Sequence, residues 1–130
     1  NMDNFTSLLQ SYFDDLFTNG REVAIDIQVP DNGSGIDLEK EFQGKELSEI
    51  IDEWMENNTV NHRFSKDDAT ETTLLYNEVR IPMYKQNGMP MDTENFTRQL
   101  RDYLAKSPYN LTCKVIRRGL GRCLLVIGEK

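Results

Sequence analysis

Three arginines, two glycines and two cysteines crowd one stretch near the end of the chain, Cys113-Lys-Val-Ile-Arg-Arg-Gly-Leu-Gly-Arg-Cys123. Glycines beside arginines suit a phosphate cradle, and two thiols suit a redox clasp. Both phosphate-loop patterns fail on context. A dinucleotide loop needs a third glycine where Leu124 stands, and a helix after it, whereas Cys123 to Ile127 reads as a strand. The nucleotide P-loop pattern of glycine, lysine and a hydroxyl residue is absent. The stretch does satisfy a β-hairpin closed by Arg117-Arg118-Gly119, with Gly119 in the left-handed conformation. That register sets Cys113 opposite Cys123 and Lys114 opposite Arg122. It gathers Leu111, Cys113, Val115, Cys123, Leu125 and Ile127 on one apolar face. A longer loop, Arg118 to Gly121, gives the cysteines apolar partners instead and stays open. The chain has no C-x-x-C spacing, so the thiols read as reduced, buried small hydrophobes.

Other reactive side chains are sparse. His62 is the only histidine, close in sequence to Ser65, Asp67 and Asp68. Serine triads are assembled across a fold, so this proximity does not identify one. One histidine and two separated cysteines cannot complete a usual zinc shell. Asp31 to Asp37 has the composition of a calcium loop without its spacing, so neither a metal nor a cofactor is expected. The remaining signal is charge. Arg98, Arg101, Lys106, Lys114, Arg117, Arg118 and Arg122 form a basic cluster suited to an anion or nucleic acid, and Lys114 facing Arg122 implies repulsion that something anionic would relieve. Glu46, Glu49, Asp52, Glu53 and Glu56 form an acidic helix face suited to a basic protein partner.

These side chains need elements to hold them. Phe5, Leu8, Leu9, Tyr12, Phe13, Leu16 and Phe17 recur at helical period and predict a helix over 4–17, capped by Asp3, closed by Gly20, with its stripe in the core. Val23, Ile25, Ile27 and Val29 alternate as a strand. Ile36, Leu38 and Phe42 suggest a second strand paired to it as a hairpin. Leu47, Ile50, Ile51 and Trp54 predict a helix over 45–57, and 57–73 reads as a long loop. Leu74 to Tyr84 predicts a strand whose parity breaks at a bulge near Asn77 or Glu78, with Pro82 at its end or on an edge. Asp92 caps a helix of about 93–106 that Ser107-Pro108 stops. The third strand, this helix and the fourth strand suggest one parallel crossover pair. The order α-β-β-α-β-α-β-β predicts an α+β fold, a mainly antiparallel sheet with helices on one face and a C-terminal hairpin.

The chain has 130 residues and a net charge of −7, which fits one domain over 1–130. Residues 1–78 hold 5 Lys/Arg against 18 Asp/Glu, and residues 79–130 hold 10 against 4. The halves attract each other, and the chain as a whole repels polyanions. No apolar run is long enough to span a membrane, and the first segment lacks the basic start of a signal peptide. A cytoplasmic protein is expected. The expected function is a small, soluble, non-enzymatic domain that binds a protein partner, accessory or inhibitor-like, through the acidic face. Nucleic-acid binding through residues 98–122 is the alternative, and a small enzyme with a cleft near His62 is a third.

Overall fold

The computed structural model describes residues 2–129, with side chains from Thr6 onward. Three helices, α1 (Met2–Asn19), α2 (Leu47–Asn58) and α3 (Thr93–Ala105), accompany seven strands: β1 (Arg21–Gln28), β2 (Glu41–Phe42), β3 (Lys45–Glu46), β4 (Ser65–Ala69), β5 (Thr73–Ile81), β6 (Cys113–Arg117) and β7 (Arg122–Ile127). The main sheet runs β4-β5-β1-β7-β6. Its pairs are antiparallel except β1 with β7. The fold is α+β, as the element order predicts.

Strand β1 sits at the centre because its alternation supplies one apolar face. Val23, Ile25 and Ile27 are buried, while Glu22 and Gln28 are exposed. Tyr76 and Cys123 flank Ile25, and Leu74 and Leu125 flank Ile27, so the same face continues across three strands. Ile50, Ile51, Trp54 and Met55 of α2 and Phe96, Leu100 and Leu104 of α3 close over it. The Trp54 and Phe96 rings meet edge to face, 5.0 Å between centroids. The unbroken run Cys123 to Ile127 is buried throughout, as befits a strand with neighbours on both sides.

The bulge lies where the parity break places it. Val23 faces Val79 and Ile25 faces Tyr76, so Asn77 and Glu78 together oppose Ala24, and Glu78 takes φ +51°. This brings Leu74, Tyr76, Val79 and Ile81 to the core side. Strand β5 ends at Ile81, just before Pro82. Asp92 caps α3 by accepting the Asn95 N–H at 2.6 Å.

Five expectations are corrected. Residues 36–40 are not a strand beside β1. Hydrogen bonds from the N–H groups of Gly33, Ser34 and Ile36 to the side chains of Asp31, Asn32 and Ser34 hold the preceding segment as a loop. Leu38 plugs the core, and only Glu41–Phe42 and Lys45–Glu46 pair. Segment 57–73 is not wholly loop: Ser65 to Ala69, with Lys66, Asp67 and Asp68 between them, form the edge strand β4, where burial periodicity is absent because nearly every side chain faces solvent. The parallel pair is β1 with β7 rather than the third strand with the fourth.

The C-terminal hairpin forms in another register. Cys113 faces Ile127, Val115 faces Leu125, and Arg117 faces Cys123. The Arg118 N–H donates to the Arg122 carbonyl, leaving Gly119-Leu120-Gly121 as the loop tip. Each residue has moved by an even number of positions, so the apolar face survives while every cross-strand partner changes. The parallel partner β1 decides this, since it draws Cys123 beside Ile25 and Leu125 beside Ile27. The two cysteines therefore do not face each other. Both are free and buried. Burial raises both thiol pKa values, that of Cys113 to about 11.

The fifth correction concerns α1. Its backbone is helical and ends as expected, with Gly20 at φ +79° and its N–H bonded to the Leu16 carbonyl. The side chains of Asp3 and Phe5 lie outside the described residues. The stripe is not core: Leu8 is 71% exposed, Phe17 65%, and Leu9, Tyr12 and Phe13 are exposed with them. The C-terminal part of α1 touches the rest of the protein through the Asp15 carboxylate 3.6 Å from Arg80 of β5, half-buried Leu16, the stacking of Phe17 on Tyr84, and the Asn61 side chain against Thr18 and Asn19.

Candidate functional site

The basic cluster divides into spent and unspent cations. Arg98 holds Glu94 at 2.6 Å, one turn back on α3, and Arg101 holds Asp102 at 3.1 Å. Arg122 grips Asp26 of β1 with two nitrogens, both at 2.9 Å. Lys114 faces Val126 rather than Arg122, so the repulsion expected between those cations does not arise. Lys106, Lys114, Arg117 and Arg118 have no carboxylate at ion-pair distance among the described residues. The last three lie along β6 and at its exit, all exposed.

The acidic face of α2 divides in the same way. Glu53 pairs with Lys45 at 2.9 Å. Asp52 is a structural group. It accepts the Tyr76 hydroxyl at 2.5 Å and the Lys66 ammonium at 2.7 Å, and Tyr76 is fully buried. Burial first, then the Asp52 carboxylate, pushes the Tyr76 phenol far above its usual range. Glu46, Glu49 and Glu56 remain exposed and without an ion pair among the described residues.

Around His62 the chain forms a polar cleft of about 450 Å³ lined by Glu22, His62, Arg63, Phe64, Glu78 and Arg80. Asn61, His62 and Glu78 all take positive φ, at 55°, 57° and 51°. The His62 and Ser65 side chains have different partners. His62 Nδ1–H donates to the Glu56 carbonyl at 2.6 Å, while Ser65 donates to Asp67 at 2.9 Å. Arg80 is occupied by the Gly20 carbonyl and by Asp15 and Glu22.

Two features escaped the sequence reading. Asp37, Glu39 and Glu71 bring carboxylate oxygens within 4.8 Å of one another. The loop 31–40 creates this cluster by folding Leu38 onto Glu71, where the Leu38 N–H meets the Glu71 carbonyl at 2.8 Å. No spacing rule joins residues so far apart. The second is the apolar surface of α1, which the sequence shows as a stripe without showing that nothing covers it.

No helix among the described residues is long and apolar enough to cross a membrane. Neither a curated protein nor a solved structure matches the chain. Residues 21–128, all of the sheet with α2 and α3, match a family described as a domain of unknown function (DUF6175), and the chain belongs to that family.

Proposed function

We propose that the protein is a non-enzymatic, cytoplasmic binding domain whose partner is another protein, engaged through α1. The observation that carries this is the uncovered face of Leu8, Leu9, Tyr12, Phe13 and Phe17. Five large apolar side chains on a single helix face are costly to leave in water, and an amphipathic helix laid into a groove is a common recognition mode. Residues 1–20 carry Asp3, Asp14 and Asp15 and no Lys or Arg, and the whole chain is at −7. Both facts favour a groove rimmed by Lys or Arg over a second copy of this acidic chain. Glu46, Glu49 and Glu56 extend the acidic surface and steer the approach. The free, buried thiols support a reducing compartment.

The test uses the full chain and Phe13→Asp as paired baits, with sedimentation of each alone. A protein retained by the wild type and lost with Phe13→Asp is expected. Identical retention by both baits refutes the reading. A wild-type dimer that Phe13→Asp returns to monomer assigns the face to self-association instead.

A further inference from the structure

Strand β6 is the last strand of the sheet, and one of its edges is open. The hydrogen-bonding parity follows from its ends. Thr112 accepts from Gly128 and Arg118 donates to Arg122, so even-numbered residues make the bonds to β7. In an antiparallel pair the residues between them turn their backbone groups away. Cys113, Val115 and Arg117 therefore present N–H and C=O groups to the outside, and no described strand pairs with them.

We propose that this edge accepts an extended acidic peptide segment of a partner as a sixth strand. The chemistry comes from the side chains. Lys114 and Arg118 share one face of β6 and Arg117 stands on the other, all three exposed and without a carboxylate partner among the described residues. The remaining arginines of the basic cluster are already neutralised, so apart from Lys106 at the end of α3 its unspent positive charge lies along the open edge. Cations on an edge strand repel like-charged strands. Two copies pairing antiparallel about Val115 would bring Arg117 of each chain beside Cys113 of the other and Lys114 beside Ile116, which concentrates six cations along one seam. The charges that exclude a second copy select an acidic strand. Half-buried Val115 and Ile116 offer it apolar contact on either face. At the opposite edge, β4 carries Asp67 and Asp68 and an irregular register between Lys66 and Asp68, so it is blunted against the same peptide. This site is separate from α1 and does not depend on it.

The probe is a labelled ten-residue peptide alternating Glu with Val, titrated by fluorescence anisotropy into the full chain. Saturable binding is expected, weakened roughly tenfold or more by Lys114→Glu/Arg118→Glu through lost charge complementarity. The same peptide N-methylated at alternate amides keeps its charge and side chains but cannot donate to the edge, and it should bind at least about tenfold more weakly to the wild type, where the fold is not in question. Amide exchange should slow at Val115 and Arg117 when the unmodified peptide is bound. Equal binding of the methylated peptide overturns strand addition. An oligothymidylate of equal charge that binds as tightly as the peptide reassigns the patch to nucleic acid, and no binding of the peptide at about 1 mM, a level that detects even weak association, also overturns the proposal.

Discussion

Asp52 separates structure from surface on the acidic face, and its removal has a calculable effect. Asp52→Ala deletes the acceptor of the buried Tyr76 hydroxyl and the partner of Lys66. A hydrogen bond to a charged group contributes about 1.5–3 kcal/mol, and among the described residues Asp52 is the partner of this hydroxyl. The Lys66 pair is about one-third exposed on both sides, with side-chain exposures of 34% and 31%, so its contribution is at most about 1 kcal/mol. The expected loss is about 2–3 kcal/mol. For a chain of this length that lowers Tm by about 6–12 °C. Urea unfolding followed by circular dichroism measures it, with Glu56→Gln as a surface control within about 0.5 kcal/mol of wild type. Tyr76→Phe removes the hydroxyl that needs Asp52, so in that background Asp52→Ala should cost about 1 kcal/mol, a coupling of about 1–2 kcal/mol. Equal costs in both backgrounds, or a loss under about 0.5 kcal/mol, would refute the structural role and return Asp52 to the pool of binding carboxylates.

Other outcomes follow from the same geometry. Phe13→Ala should leave stability within about 0.5 kcal/mol of wild type because the side chain is exposed, while Phe96→Ala should cost about 3–5 kcal/mol; near-equal losses in urea titrations would mean that the α1 face is covered. Gly20→Ala should destabilise by about 1–2 kcal/mol or more, because φ is +79° and an added Cβ collides with the Ile81 carbonyl oxygen; a neutral result in the same titration contradicts the helix ending described. Stability should fall above pH 9, where the thiols of the unfolded chain ionise while buried Cys113 keeps its proton to about pH 11. The folded state then binds more protons than the unfolded one, so the slope is negative, and Cys113→Ala should make it shallower between pH 9 and 10, with Cys123 and, towards pH 10, Tyr76 supplying the remainder. A slope unchanged by Cys113→Ala would assign the pH dependence to other groups.

What was legible in the sequence was periodic. The alternation of Val23, Ile25 and Ile27, the parity break at Asn77 and Glu78, and the cap at Asp92 are local patterns. Each carries its own geometry, and the structure reproduces each one. The division of the basic cluster was not legible, because it depends on which carboxylate folding brings within reach. Arg122 and Asp26 are partners because β1 and β7 lie side by side in parallel, and nothing near either residue announces that. The same holds for Asp52 beneath Lys66 and above Tyr76.

The hairpin shows the boundary most clearly. Side-chain period two determined, from sequence alone, which residues of Cys113 to Ile127 face the core, because parity is blind to even shifts of register. Which residue meets which was decided only by the third strand, since β1 has to seat Ile25 beside Cys123 and Ile27 beside Leu125. The helical period of α1 likewise determined a helix and its apolar stripe. Whether that stripe is covered depends on how much sheet is left to receive it. Here α2 and α3 already fill the apolar face, and α1 is left with its side chains in water.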